Sequence, residues 1–197
     1  MPPRAIVSVT NDLSTDNRVH RTCTVLRELG YEVLLVGREL PGSQPIQRTY
    51  GTKRMRLFFR KGATFYAEHN LRLFFFLLFR RADLLVANDL DTLLANFLVA
   101  RIKGKELVYD SHEYFTEVPE LEGRFARRVW LAIERWIFPK LEHVITVNDS
   151  IAREYRERYP QRTVRPSTPL RVAHRDIVVI RNIPMHRDLG PLPSRKD

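Results

Sequence analysis

Short apolar runs alternate with apolar positions spaced as on a helix face, from one end of the chain to the other. Residues 5–9 (AIVSV) read as a first strand and residues 10–17 (TNDLSTDN) as a polar turn. Val19, Cys23, Val25, Leu26 and Leu29 then recur at helical spacing until Gly30, with Asp16 or Asn17 placed to cap the helix. Residues 33–36 make a second strand, so the chain opens as a βαβ unit, the start of a parallel sheet. After a surface loop at 39–51, with two prolines and two glycines, residues 53–59 (KRMRLFF) predict a third strand and 62–81 an aromatic-rich helix. Strand 83–87 and helix 92–102 follow, the helix stopping at Gly104. A central strand over 107–109 comes next, then a break bracketed by Pro119 and Gly123 and a long amphipathic helix over 124–141 ending near Pro139. Strand 144–147, helix 151–159, a loop over 161–175 and strand 177–180 complete the pattern. About six alternations of this kind predict an α/β fold: a Rossmann-like, doubly wound parallel sheet with helices on both faces.

The polar residues add a pattern of their own. Several predicted strands end in acids or amides: Asn11 and Asp12, Asn88 and Asp89, Asp110 and His112, Asn148 and Asp149, and Asn182. Ligands of open α/β sheets bind outside the carboxyl ends of the strands, so these residues gather on the rim where a polar ligand belongs. The central strand runs into Asp110, Ser111, His112 and Glu113, and a histidine beside two carboxylates makes this the leading site candidate. Strand termination and helix capping remain the alternative for each of these residues. The first loop contains no glycine, which argues against a dinucleotide fingerprint and hence against an NAD or FAD dehydrogenase. A helix amino terminus still offers N–H groups to an anion there. Asn11, Asp12, Asp16 and Arg18 suit either a hydroxylated substrate or plain capping and turning.

Composition narrows the setting. With 197 residues, 44% hydrophobic and 28% charged, the chain is long enough for one α/β domain. One cysteine, Cys23, excludes an internal disulfide and a cysteine-based zinc site and fits a reducing cytoplasm, the expected location. No signal peptide is expected, since the first strand follows Arg4 directly, and no metal site is expected. The longest apolar run, residues 73–79, falls far short of the roughly 20 residues a membrane span needs. A net charge of +10 points to anionic partners. Arg54, Arg56, Arg60, Lys61 and Arg72 surround the aromatic stretch, which reads either as a buried helix with basic ends or as a patch for the inner, anionic face of a membrane. Nucleic acid is not an expected partner: the basic residues are dispersed, with no helix-turn-helix, RNP or zinc pattern.

Three passages carry a resemblance: VANDLDTLLA at 86–95, LVYDSHEYFTEVPEL at 107–121 and VITVNDSIAREY at 144–155. Together they resemble the amino-terminal, acceptor-binding Rossmann-like domain of a GT-B glycosyltransferase of family 4 (group 1). VVIRNIP at 178–184 resembles the segment where such enzymes cross into their second domain. The resemblance implies a domain over 1–183, with 184–197 as a polar, proline-containing tail beginning an interdomain linker. It implies a retaining transfer of sugar from a nucleotide-sugar co-substrate to a glycan or lipid-linked acceptor, as in polysaccharide biosynthesis. No cofactor and no metal held by Asp-x-Asp are implied. His112 matches the histidine that lies close to the transferred sugar. Asn11, Asp12, Asp89, Asp110 and Glu113 fall where acceptor hydroxyls would bind, and Asp16 and Arg18 near the donor phosphates. The glycine pair that approaches those phosphates in many members is replaced here by NDLSTDN. The Glu-rich donor motif of the second domain has no match, so a donor-binding domain, in cis or as a separate chain, is the implied partner. The 197-residue chain alone is expected to be inactive. A non-catalytic scaffold that docks a catalytic partner or a membrane, and a basic nucleic-acid-binding module, are the competing classes.

Overall fold

Seven parallel strands organise the molecule in a computed structural model that describes residues 1–14, 16–112, 125–160 and 176–181. They are β1 (Arg4–Asp12), β2 (Glu32–Arg38), β3 (Gly51–Met55), β4 (Leu84–Asn88), β5 (Glu106–Ser111), β6 (His143–Thr146) and β7 (Asp176–Val179). They lie in one sheet in the order β3-β2-β1-β4-β5-β6-β7. Every neighbouring pair is parallel. The order runs outward from β1 to β3 and restarts on the other side with β4, so the topological switch falls between β1 and β4. The Rossmann-like doubly wound sheet expected from the pattern is the fold found.

Among the described residues five helices join the strands: α1 (Asn17–Glu28), α2 (Gly62–Leu78), α3 (Leu90–Lys103), α4 (Phe125–Ile137), which continues into a 3-10 turn over Phe138–Lys140, and α5 (Asp149–Arg158). The Asp16 carboxylate caps α1 by accepting the Arg18 and Val19 N–H groups, each at 3.1 Å. Gly104 ends α3 in the left-handed region, φ 60°, where a side chain would be strained.

The two faces of the sheet are unequally covered. One face packs under α2, α3, α4 and α5 in a core that includes Leu77, Leu93, Tyr109, Phe138 and Tyr155. The other is covered by α1 through Val19 and Cys23, with Tyr50 from the loop before β3. Away from α1 this second face thins out: Val178 and Ile180 near β7 are 42% and 55% exposed, and Leu29 just past α1 is 68% exposed.

Two expectations are corrected. The third strand is Gly51–Met55 and not 53–59. The Glu68 carboxylate takes the Phe58 N–H at 2.9 Å and the Phe59 N–H at 2.9 Å, so these two donors are satisfied by a side chain and not by the sheet. The polar stretch after residue 9 is not all turn, because β1 continues through Asp12 with a register shift against β2 between Ser8 and Asp12. Gly37 permits that shift: a Cβ there would stand 2.4 Å from Leu13 Cδ2 and 2.8 Å from the Asn11 carbonyl oxygen. The predicted break at Pro119 and Gly123, the 161–175 loop and the 184–197 tail lie outside the described residues.

Candidate functional site

The carboxyl ends of β4 and β5 bring three of the candidate residues into one cluster. Asp89 follows β4 directly and carries φ 59° and ψ 167°, the sole positive-φ non-glycine residue among the described residues. An L-residue in that region is held there at a cost of about 1–3 kcal/mol, and such strain concentrates at functional sites. The tie to β5 is reciprocal. The Asp89 N–H donates to the Asp110 carbonyl at 2.9 Å, and Asp89 Oδ1 accepts the His112 N–H at 2.9 Å. His112 Nε2 then lies 3.0 Å from Asp110 Oδ1, with both side chains buried. Backbone and ring of His112 are therefore each fixed by a carboxylate.

Electrostatics at the cluster are set by burial and by these short contacts. Burial works to lower the His112 pKa, but the hydrogen bond and charge of Asp110, with Asp89 behind it, raise it above the ordinary histidine value. Burial raises the Asp89 pKa, opposed by the His112 charge and N–H. Arg18 acts on both groups from the first turn of α1. Arg18, Asp110 and His112 line a cavity of about 410 Å³ whose remaining walls are largely apolar, from Val25, Leu26 and Leu29 on one side to Ile145, Val147 and Ile180 on the other.

Asp12 is placed elsewhere and bonded differently. Its carboxylate accepts from the Ser14 N–H at 2.8 Å, the Ser14 hydroxyl at 2.6 Å and the Ser43 hydroxyl, and pairs with Arg54 at 3.2 Å. Burial pushes its pKa up, but the serine donors and Arg54 outweigh burial and bring it down to about 2. Asp12 acts as a brace between the end of β1, the loop after β2, and β3. Asn11 is exposed beside it. Asp16 is committed to capping α1. Glu113 lies outside the described residues. Of the basic patch, Arg54 is held by Asp12, Arg56 pairs with Glu39 at 2.9 Å and Arg72 with Glu68 at 2.8 Å, while Arg60 and Lys61 are exposed.

From the sequence, Asp89 or Asp91 is placed to cap the helix that follows β4. Neither Asp89 nor Asp91 caps α3 with its side chain. Asp91 is buried instead: its Oδ2 accepts the Thr10 hydroxyl at 2.5 Å, and its Oδ1 has no partner among the described residues. Burial, reinforced by the Asp89 charge, pushes its pKa up to about 7. The sequence carried no signal for this burial, which depends on the packing of α3 against β1 and its Thr10. Among the described residues, one group has ligand atoms close enough for a metal: Glu106, Glu142 and His143. Its three residues are exposed at the amino ends of β5 and β6, and exposed acidic groups of this kind are common without an ion.

The chain belongs to Glycosyltransferase Family 4, whose sequence profile matches residues 16–182. No curated protein sequence matches it significantly. Among solved structures it is similar to sucrose-phosphate synthase from Thermosynechococcus elongatus, with a TM-score of 0.60 at 16% identity over 81% of this chain and 45% of that one. It is also similar to a UDP-glucosyltransferase from Polygonum tinctorium capable of glucosylating indoxyl, with a TM-score of 0.57 at 12% identity over 100% of this chain and 56% of that one. The chain thus spans about half the length of the solved structures it matches. At these identities the likeness establishes the fold, and the sequence profile establishes the family.

Proposed function

We propose that this member of Glycosyltransferase Family 4 supplies the acceptor side of a sugar-transfer site. In this reading the β4–β5 rim binds the acceptor, and His112 faces a nucleotide-sugar held by a donor-binding unit, in cis or on a separate chain. The observation that carries the reading is the doubly fixed His112. Asp89 anchors its backbone and Asp110 its ring, at the mouth of a cavity large enough for part of a substrate.

Sugar transfer requires an oriented acceptor hydroxyl and stabilisation of the departing diphosphate charge. Asp110 accepts from Nε2 and so holds the ring in one tautomer and orientation, which leaves Nδ1 for a substrate hydroxyl. The Asp110 carboxylate raises the His112 pKa against the effect of burial, a direction that favours the protonated ring and suits negative charge building up beside it. Asp89 acts on the acceptor through His112, as a positioning residue. A retaining course without a metal belongs to the same proposal.

The apolar walls of the cavity suit an acceptor with an apolar portion. Phe58, just before α2, is 84% exposed with the Arg72 guanidinium 5.1 Å from its ring and with Arg60 and Lys61 close by in sequence, which supports a lipid-linked acceptor met at an anionic membrane surface. No helix among the described residues is long and apolar enough to cross a membrane.

The test is turnover. Alone, the purified chain is expected to release no nucleoside diphosphate from UDP-glucose, UDP-N-acetylglucosamine or GDP-mannose. With a donor-binding unit present, release and transfer are expected, and His112→Ala should lower the rate by roughly 10²–10⁴-fold. Turnover by the chain alone, or an unaffected His112→Ala assembly, would overturn the reading.

A further inference from the structure

A second cavity opens on the same rim, where β2 and β3 end. It holds about 260 Å³ and is lined by Arg38, Arg56 and Arg60 together with Glu39, Leu57 and Phe59. Three arginines and one glutamate thus line it, and Arg38 also acts electrostatically on the buried Asp91. Glu39 engages Arg56, at 2.9 Å to Nε and 3.3 Å to Nη2. Arg60 is exposed and has no ion pair among the described residues. Arg38 lies over the Phe65 ring at 4.6 Å and donates one Nη1 bond to the Arg60 carbonyl at 3.4 Å, yet its Nε is buried with no hydrogen-bond partner. A buried N–H left without an acceptor costs about 1–3 kcal/mol, so this donor calls for a ligand oxygen.

Position fits the rest of the ligand to the same rim. Arg38 ends β2 and Asp110 lies on β5, three strands along in the sheet order. That is roughly 14 Å at ordinary interstrand spacing. A group bound here is too distant to be the reacting hydroxyl and close enough to belong to the same molecule.

We propose that this pocket binds a phosphate of the acceptor, set back from the hydroxyl that reacts. The proposal rests on the acceptor-binding reading above. Phosphate is the favoured anion because it presents several charged oxygens to more than one arginine, and the guanidinium fork matches two of them at once. Leu57 and Phe59 on the cavity wall admit an apolar neighbour to that phosphate. A soluble sugar phosphate and a lipid phosphate headgroup share this chemistry, and the experiment separates them.

The measurement is the arginine Nε–Hε region of a ¹⁵N spectrum of the 197-residue chain. It is titrated with inorganic phosphate, with glycerol 3-phosphate, and with phosphatidylcholine vesicles with or without phosphatidylglycerol. Phosphate and glycerol 3-phosphate are expected to shift the Arg38 resonance. Arg38→Gln and the surface variant Arg60→Gln should each weaken binding about tenfold, the loss of one charge-assisted bond. Arg101→Gln, in the last turn of α3 on the opposite rim, controls for general charge and should leave binding unchanged. A response to phosphatidylglycerol vesicles that glycerol 3-phosphate displaces assigns the lipid source, and a response to the soluble phosphates alone assigns the soluble one. An Arg38 resonance that ignores phosphate, or an affinity in both variants equal to that of the unmodified protein, overturns the proposal. His112→Ala should leave phosphate binding intact, so a neutral His112→Ala in turnover sinks the catalytic role of His112 without touching this pocket.

Discussion

Asp12 and Asp89 end neighbouring parallel strands, β1 and β4, and the chain treats them in opposite ways. Asp12 receives two serine hydroxyls, one N–H and a guanidinium, and its pKa falls to about 2. Asp89 is held at φ 59° and has its pKa raised, and its carboxylate supports the backbone of His112. Asp91, one step further on, is buried with a single hydroxyl donor and an unpartnered Oδ1. Two acids of the same type on the same rim thus separate into a satisfied brace and a strained support. The difference separates an acid whose charge ties three segments together from one kept in a strained backbone with a raised pKa.

The contrast makes predictions of decreasing size. The largest concerns Asp91. Its folded-state pKa of about 7 lies above the model-compound value of 3.8, so the unfolded chain gives up that proton first. Stability from this group is therefore lost as pH rises from about 4 to about 7, and is flat beyond. Asp91→Asn should remove that slope and stabilise the domain above pH 7 by on the order of 3 kcal/mol, read from urea unfolding at pH 5 and pH 8. An unchanged slope would mean that the carboxyl is not kept dry.

Asp12 should behave with the opposite sign. Its pKa is depressed to about 2, so its contribution is present above about 3.8 and is lost as pH falls through about 2. Asp12→Ala is expected to cost about 2 kcal/mol at pH 7, as charge-assisted bonds to a braced carboxylate imply. The gap to the unmodified protein should close as the solution is acidified toward pH 2, and a pH-independent gap would show that the brace is not electrostatic.

The smallest effect separates backbone from side chain. At position 89 glycine suits the positive φ and alanine does not, so Asp89→Gly should be about 1 kcal/mol more stable than Asp89→Ala. Both should impair transfer, since both remove the acceptor for the His112 N–H. At position 12 the order should reverse, because glycine there offers no relief and adds chain entropy. Paired melting curves of the four variants decide it.

Much of the fold was legible in the pattern. The alternation of apolar runs and helical spacing located six of the seven described strands, and the Leu107–Tyr109 run placed Asp110 and His112 at a central strand end. The misplaced third strand shows where the pattern misleads. The apolar run Leu57–Phe59 invites the strand to continue, but Glu68, from a helix turn later in the chain, takes the Phe58 and Phe59 N–H groups. The site was legible as residue types and not as roles. Asp12, Asp89 and Asp110 look alike on paper. Of these, Asp89 and Asp110 meet around His112, while Asp12 is drawn to Ser14, Ser43 and Arg54.

The sequence by itself determined the alternating α/β order, the parallel sheet and the polar rim, because these follow from local periodicity and from the chemistry of strand ends. It also determined the family, whose profile matches residues 16–182. Only the tertiary structure decided which acid braces and which supports His112, why Asp91 holds its proton toward neutrality, and that Arg38, Arg56 and Arg60 share a cavity. Those outcomes depend on burial and on donors brought from strands and loops distant in sequence, and free energies of that kind exist only once the chain has closed on itself.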